Sequence, residues 1–339
     1  MQKKLASLAA ATAILGLTAV SAQAAILDDV KAKGYLQCGV TGGVPGFSAP
    51  DANNVWTGLE VDFCRAMAAA IFNDADAVRY TSLTSQERFT ALSAGEIDVL
   101  SRTTTWTMSR DTQLGITFVG TMFYDGQGFM VREADGIASA LDLSGAAICI
   151  ESGTTTELNA ADYFAANGME FNTVVFVDQD EVVKAYEDGR CDVYTTDSSA
   201  LAAERSKFAN PDEHIILPEI ISKEPLGPVV RAGDSQWFNL ARWTYFALLE
   251  AEELGVTSAN VDEMLGSDNP AIKRLLGVEG DFGTPLGVTK DWAYQIVKTV
   301  GNYAEIYDKH VGPNTPIGLE RGLNALWKDG GIQYAPPIR

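Results

Sequence analysis

Residues 84–104 read TSQERFTALSAGEIDVLSRTT, a helix pattern followed by a strand pattern and then by hydroxyl side chains. Thr84 and Glu87 have the spacing of a capping box, and Gly95 is typical of the residue that follows a helix. The apolar run at 97–100 predicts a short buried strand. The stretch therefore predicts a helix–turn–strand unit that ends in polar residues.

A second stretch, DEVVKAYEDGRCDVYTTDSS at 180–199, has the same organisation. When residues 185–193 are aligned with residues 91–99, Ala, Gly, Asp and Val coincide at identical offsets. Chance similarity of two helix–turn–strand units is the alternative. We interpret the repeat as one supersecondary unit used once in each of two lobes.

The rest of the chain also alternates between strands and helices. Strands are predicted at 35–40, 146–152 and 172–177, and helices at 59–72 and 155–167. This order is typical of α/β lobes, each a mostly parallel sheet flanked by helices. Ligands of such sheets bind beyond the carboxyl ends of the strands, which is where both hydroxyl-rich segments begin.

The first 24 residues have the features of a signal peptide. Two lysines precede an apolar run, and Ala22-Gln23-Ala24 forms a cleavage site of the A-x-A type. An uncleaved membrane anchor is the alternative. We expect an exported, periplasmic protein that is cleaved near Ala24.

Charge and cysteine content limit the function classes. The formal net charge is −20, and removal of the leader with its two lysines brings it to −22, which disfavours nucleic acid and anionic lipid as partners. The four cysteines allow three disulfide pairings, and export favours their oxidation. Their spacing fits no zinc motif and the chain has two histidines, so neither a metal site nor a cofactor is predicted.

The segment RTTTWTMSR at 102–110 has the composition of a carboxylate receptor. Thr103 and Thr105 share one side of an extended segment, and a turn into a helix would bring the Arg110 guanidinium back to them. A planar guanidinium together with hydroxyl groups binds a carboxylate in bidentate fashion. A surface arginine in an ordinary ion pair is the alternative.

We expect two segments of the second lobe to lie across a cleft from residues 102–110. In ESGTTTELN at 151–159, Thr154 or Thr155 opens a helix whose free N–H groups attract an anion, although an ordinary N-cap is the alternative. Asp197 follows a strand and would pair with an ammonium group; an N-cap of the next helix is the alternative, and both hold if Ser198 or Ser199 caps the helix while Asp197 faces the cleft. A ligand that carries both a carboxylate and an ammonium group is an α-amino acid.

At this point the chain resembles the extracytoplasmic solute-binding proteins of polar amino-acid ABC importers. The resemblance rests on these segments: GLEVDFCRAMAAAIF (58–72), RFTALSAGEIDVLSRTTTWTMSRD (88–111), FYDGQGFMV (123–131), ESGTTTELN (151–159) and GRCDVYTTD (189–197). The C-terminal segments EIISKEPLGPVVR, LEAEELGVTSANVDEM and ERGLNALWKDGGIQYAPPIR are similar to the general L-amino-acid subgroup. The likeness covers essentially the whole mature chain.

The resemblance implies a ligand set by position in these motifs. Arg110 would clamp the α-carboxylate, with Thr105 completing the clamp, and Thr103 would contact the ammonium group. Thr155 would supply a backbone donor from the second lobe, and Asp197 would pair with the ammonium group.

The resemblance also bears on two further residues. Phe47 is the candidate for the aromatic residue that relatives carry in the first loop. Arg102 occupies a position that is often small and polar in relatives, and it either favours acidic side chains or faces solvent.

The resemblance also implies two lobes joined by a double hinge. The first lobe would comprise 25–124 and the second 125–225, while 226–339 would complete the first lobe and add a C-terminal extension. The chain would cross near Tyr124 and Pro225. Bridges within a lobe would leave this hinge free, so we predict the pairs Cys38–Cys64 and Cys149–Cys191.

The implied partners are an L-amino acid and an inner-membrane ABC permease with its ATPase subunits, with the binding protein itself a monomer. An acid–base enzyme on the same scaffold, such as a dehydratase, is the main alternative. It would need a poised general acid or base, and neither histidine lies in a proposed half-site, so no catalytic residue is predicted. A receptor ectodomain or an interaction protein with a vestigial cleft is the third class.

Overall fold

The computed structural model describes residues 25–339, and the predicted signal peptide lies outside them. The strands are β1 (Leu36–Val40), β2 (Ala49–Pro50), β3 (Trp56–Thr57), β4 (Val78–Ser82), β5 (Val99–Leu100), β6 (Ile116–Phe118), β7 (Phe123–Asp125), β8 (Gln127–Arg132), β9 (Ala147–Glu151), β10 (Asn172–Phe176), β11 (Val193–Asp197), β12 (His214–Ile216), β13 (Glu224–Leu226) and β14 (Val229–Arg231). The helices are α1 (Ile26–Lys33), α2 (Leu59–Phe72), α3 (Arg88–Ala94), α4 (Met108–Gln113), α5 (Thr156–Ala166), α6 (Gln179–Glu187), α7 (Ser198–Arg205), α8 (Ser235–Glu253), α9 (Val261–Met264), α10 (Pro270–Leu275), α11 (Trp292–Thr299) and α12 (Tyr303–His310). Within this part of the chain, no helix is both long enough and apolar enough to cross a membrane.

Two five-stranded sheets form the centres of two lobes. The first has the order β4-β1-β5-β14-β6 and the second the order β10-β9-β11-β8-β12. In each sheet the first two strand pairs are parallel and the last two are antiparallel. The sheets are therefore mixed rather than mostly parallel, because β8 and β14 enter their sheets directly after the chain has crossed between the lobes.

The repeated unit predicted from the sequence occupies equivalent places in the two lobes. It forms α3 and β5 in the first sheet and α6 and β11 in the second, and both strands are central in their sheets. Gly95 and Gly189 follow the helices with φ of +78° and +74°, a conformation that favours glycine. Thr84 and Glu87 exchange the capping-box hydrogen bonds.

The chain crosses between the lobes at β7 and β13, which pair antiparallel to each other with Tyr124 opposite Pro225. Residues of the C-terminal extension, the part of the chain that follows α8, hold the backbone of this segment. Asn324 accepts a hydrogen bond from the Tyr124 amide at 2.7 Å and donates to its carbonyl at 3.1 Å. The Tyr303 hydroxyl donates to the Met122 carbonyl at 2.6 Å. The extension therefore fixes one end of the crossing strand to the first lobe.

Both disulfides join the predicted partners and lie within single lobes. Cys38 of β1 is bonded to Cys64 of α2, and Cys149 of β9 is bonded to Cys191 just before β11. Each bridge joins two residues of the same lobe and does not cross the cleft. Movement of one lobe relative to the other is therefore compatible with both bridges.

We expect replacement of Cys149 and Cys191 together by serine to lower the free energy of unfolding by about 4 kcal/mol, because the bridge closes a loop of 42 residues in the unfolded chain. Denaturant titration followed by circular dichroism measures this change. Replacing both residues avoids a free thiol. An unchanged unfolding midpoint would contradict the expectation.

Candidate functional site

The segment after β5 forms one wall of a cleft between the lobes. Its backbone runs beside β13, since the Trp106 amide donates to the Pro225 carbonyl at 2.8 Å. Thr107 caps α4 by accepting from the Arg110 amide at 3.3 Å. The Arg110 guanidinium then turns back, as predicted, and donates to the Thr105 carbonyl at 3.0 Å.

The turn after β9 forms the facing wall. Gly153 has φ of +76°, and a Cβ there would lie 2.9 Å from Cγ of Gln86 in the other lobe, so this approach favours glycine. Thr155 stands at the N-cap position of α5, but its hydroxyl makes no capping bond. It donates instead to Glu224 at 3.0 Å and lies 3.5 Å from the Thr105 hydroxyl. The N-cap alternative therefore does not describe Thr155.

Asp197 ends β11 and lines the cleft. It occupies the N-cap position of α7 without a capping hydrogen bond. The side chain that bonds the start of this helix is Asp125, which accepts from the Ser199 amide at 3.3 Å and from the Ser199 hydroxyl. Burial, together with repulsion from Asp125 and Glu224, raises the pKa of Asp197 well above its ordinary value.

Asp125 and Glu224 were not found by sequence reasoning, and they form a carboxylate cluster with Asp197. Burial raises the pKa of Asp125 to about 6. Glu224 is buried and accepts hydrogen bonds from Thr155, from Asn159 at 2.6 Å and from Ser222 at 2.8 Å. Asp125 and Glu224 adjoin the predicted crossing points at Tyr124 and Pro225. This position in the sequence could have indicated that they lie at the site.

Two buried arginines face these carboxylates. Arg88 is 2% exposed and its Nη2 donates to the Gly153 carbonyl of the other lobe at 3.3 Å. Arg102 is 4% exposed, donates through Nε to the Leu83 carbonyl at 2.8 Å and lies 3.6 Å from Glu151 across the cleft. Arg102 therefore does not face solvent. Burial lowers the pKa of both guanidinium groups.

Arg88 has one unsatisfied donor. Among residues 25–339, its buried Nε has no hydrogen-bond partner. An uncompensated buried N–H group is unfavourable unless a ligand or water accepts from it. Arg88 was missed as a site residue, although its place four residues before the buried Leu92 put it on the inner side of α3.

These walls enclose a cavity of about 30 Å³. Its lining includes four of the predicted ligand residues together with both buried arginines: Thr103, Thr105, Thr155, Asp197, Arg88 and Arg102. Val44 represents the first loop in this lining. Arg110 is not among the lining side chains. Burial lowers the pKa of its guanidinium, and the nearby carboxylates of Glu224 and Asp197 act in the opposite direction.

Phe47 lies elsewhere. Its ring is 1% exposed and packs edge-on against Phe123 at a centroid distance of 5.2 Å. The ring belongs to the core of the first lobe and does not line the cavity. The predicted aromatic contact is corrected accordingly, because the loop turns this side chain inward and presents Val44 to the cleft.

The lobes touch each other in this structure. Gln86 donates to the Ser152 hydroxyl at 2.7 Å, and Lys207 donates to the Gly43 carbonyl at 3.2 Å. A second, polar cavity of about 190 Å³ lies nearer the outside and shares three walls with the inner one: Arg102, Glu151 and Gln179. The cleft is therefore closed, with an inner and an outer compartment. Residues 25–339 contain no cluster of three or more side chains suited to a metal ion.

Two α/β lobes with a double crossing and a polar cleft between them define a type II periplasmic binding protein. The family of bacterial extracellular solute-binding proteins, family 3, matches residues 36–255, and the chain belongs to this family. Membership in a family of solute-binding proteins argues against the acid–base enzyme alternative.

Relatives and solved structures agree with this assignment over the full length. The chain is 59% identical to the general L-amino acid-binding periplasmic protein AapJ of Rhizobium johnstonii, with all of both chains covered. It is 51% identical to the glutamate/glutamine/aspartate/asparagine-binding protein BztA of Rhodobacter capsulatus, over 96% of this chain and 97% of that one. An ABC transporter periplasmic binding protein from Brucella ovis with glutathione bound is 58% identical, with a TM-score of 0.92 over 94% of this chain and all of that one.

Proposed function

We propose that this protein binds L-amino acids in the cleft and delivers them to an ABC permease. The observation that carries this proposal is the convergence of Thr103 and Thr105 from one lobe with Thr155 and Asp197 from the other on a single cavity. Arg110 clamps the α-carboxylate together with Thr105. Asp197 pairs with the α-ammonium group, which Thr103 also contacts, and the Thr155 turn supplies donors from the second lobe.

The two buried arginines form the side-chain pocket. The free Nε of Arg88 requires an acceptor, and Arg102 has Glu151 as its cross-cleft partner. Carboxylate and amide oxygens both satisfy such donors. This chemistry supports acidic and amide side chains as favoured ligands, in line with the four amino acids after which the Rhodobacter relative is named.

Closure follows from contacts made by both lobes. A ligand that bonds Arg110 and Asp197 together binds the closed state better than the open one and shifts the population towards it. The permease, with its ATPase subunits, recognises the closed form of a monomeric, periplasmic binding protein whose leader is removed near Ala24.

Glutathione is a second candidate ligand, favoured by the outer compartment. A γ-glutamyl peptide presents a free α-amino acid end to the inner cavity and needs room for its remaining residues. The outer cavity of about 190 Å³ offers that room beyond Arg102. The Brucella relative contains glutathione.

Isothermal titration with the twenty L-amino acids and glutathione tests these proposals. The protein is first unfolded and refolded to remove bound ligand. We expect several polar amino acids to bind with micromolar or tighter affinity. Glutathione that competes with glutamate would support the second candidate, whereas absence of binding by any amino acid would leave the fold but refute the assignment.

A further inference from the structure

A buried carboxylate lies directly behind the side-chain pocket. Glu60, in the first turn of α2, is 6% exposed. One of its oxygens accepts from the Thr103 amide, and the other accepts from the Ser48 hydroxyl at 2.9 Å. Glu60 therefore touches the backbone of a proposed ligand residue without itself lining the inner cavity.

The charged groups that face Glu60 are the two arginines of the pocket. Arg102 and Arg88 both act on it electrostatically and favour its ionised form. Glu151 reaches this group only through Arg102, from the other lobe. Asp62 on the same helix pairs elsewhere, with Arg65 and Lys309, and its carboxylate lies 2.7 Å from Nε2 of His310. The small cavity beside Glu60 is otherwise lined by Ser101, backbone and apolar side chains.

Burial and the neighbouring arginines act on Glu60 in opposite directions, and together they leave it partly protonated near neutral pH. Burial is the largest of them and raises the pKa of Glu60 to about 7, against the lowering effect of its hydrogen bonds and the arginines. Whatever neutralises the arginines removes part of that lowering effect. A side-chain carboxylate of the ligand, bound beside these arginines, therefore raises the affinity of Glu60 for a proton.

We propose that Glu60 compensates for the charge of the ligand, taking up a proton when a side-chain carboxylate binds and not when an amide side chain binds. This inference rests on the proposed function. It explains how one pocket holds glutamate and glutamine, since the proton taken up offsets the negative charge that glutamate adds.

The hydrogen bonds around Glu60 suit both of its states. A serine hydroxyl can donate or accept, so Ser48 can bond the carboxylate or the carboxylic acid. Ser48 Oγ also accepts from the Thr41 amide at 3.1 Å, which holds it in place. The Thr103 amide finds an oxygen acceptor on either form. Protonation therefore need not break the contact that positions Thr103.

The test is the number of protons taken up on binding, from titration calorimetry at pH 7 in buffers of different ionisation enthalpy. With wild-type protein we expect glutamate to take up more protons than glutamine, by up to about one, because any proton that Asp197 releases on binding the ammonium group is common to both ligands and cancels in the difference. In Glu60→Gln, which keeps the size and an acceptor oxygen, this excess uptake with glutamate should vanish.

The pH dependence supplies a second readout that needs no variant. Between about pH 7 and 8.5, the ratio of glutamate to glutamine affinity should fall by up to about tenfold per unit in the wild type and stay flat in Glu60→Gln. Asp197 contacts the ammonium group common to both ligands, so its titration cancels in this ratio.

Glu96→Gln is the matched control, since Glu96 is an exposed carboxylate of the same lobe and lines neither cavity. The excess uptake should persist in this variant. A wild-type ratio that is flat with pH, or excess uptake that survives Glu60→Gln, would overturn the inference. If no amino acid binds the wild type at all, it is the proposed function that fails.

Discussion

Arg110→Ala is expected to weaken binding of every amino-acid ligand by about 30- to 5,000-fold, since truncating one partner of a buried, charge-assisted pair costs about 2 to 5 kcal/mol. The guanidinium already points back to the Thr105 carbonyl, so the fork is oriented before ligand arrives. Because the α-carboxylate is common to all ligands, alanine, glutamate and glutamine should lose affinity by the same factor. Titration calorimetry on refolded protein measures it.

Arg88→Gln separates this role from that of the side-chain pocket. Arg88 lines the cavity and carries the unsatisfied Nε, so its replacement should weaken glutamate and glutamine by about 10- to 100-fold more than alanine. Arg79, an exposed arginine of the same lobe that lies over Tyr35, serves as the control, and Arg79→Ala should leave all affinities unchanged. If Arg88→Gln removes binding of all ligands equally and Arg110→Ala does not, the two assignments are reversed.

Local sequence signals predicted the elements well. The helix expected at 59–72 is α2 with the same bounds, and the strand expected at 35–40 is β1 at Leu36–Val40. Capping boxes, helix-ending glycines and apolar periodicity depend on residues within one or two turns of each other. Such patterns are present in a single sequence and need no knowledge of tertiary contacts.

What the sequence did not predict depends on contacts distant along the chain. Glu224 joins the site because β13 brings it beside Thr155, 69 residues away, and Arg88 reaches Gly153 across the cleft. The direction of β8 and β14 in their sheets depends on the double crossing, which local periodicity does not encode. Phe47 was misplaced for the same reason, since one loop can turn an aromatic side chain towards the core or the cleft.

The C-terminal extension was recognised in the sequence, but its contacts with the rest of the chain could not be predicted from it. The extension was expected from the resemblance, and its residues bond the backbone of the crossing segment at Met122 and Tyr124. Asn324 thereby satisfies both the N–H and the carbonyl of Tyr124 with one side-chain amide.

Asp197→Asn is expected to weaken amino-acid binding by about 100- to 1,000-fold, because the ammonium group would lose its buried counter-charge. A ligand without that group isolates the effect. Wild-type protein should prefer L-glutamate to L-2-hydroxyglutarate by about 100-fold or more, and in Asp197→Asn this preference should fall below about tenfold. If Asp197→Asn lowered the affinities for L-glutamate and L-2-hydroxyglutarate by the same factor, Asp197 would act on something other than the ammonium group.

The same pair predicts the direction of the pH dependence. Since burial, Asp125 and Glu224 raise the pKa of Asp197 in the free protein, and the ammonium group binds its ionised form, binding lowers that pKa and releases a proton. Affinity for glutamine should therefore be constant at high pH and fall by up to about tenfold per unit once the pH drops below the pKa of free Asp197. In Asp197→Asn this acid-side loss should disappear. A wild-type affinity that rises on acidification would mean that the cluster binds its ligand in the protonated form, and Asp197 would then be a hydrogen-bond donor rather than a counter-ion.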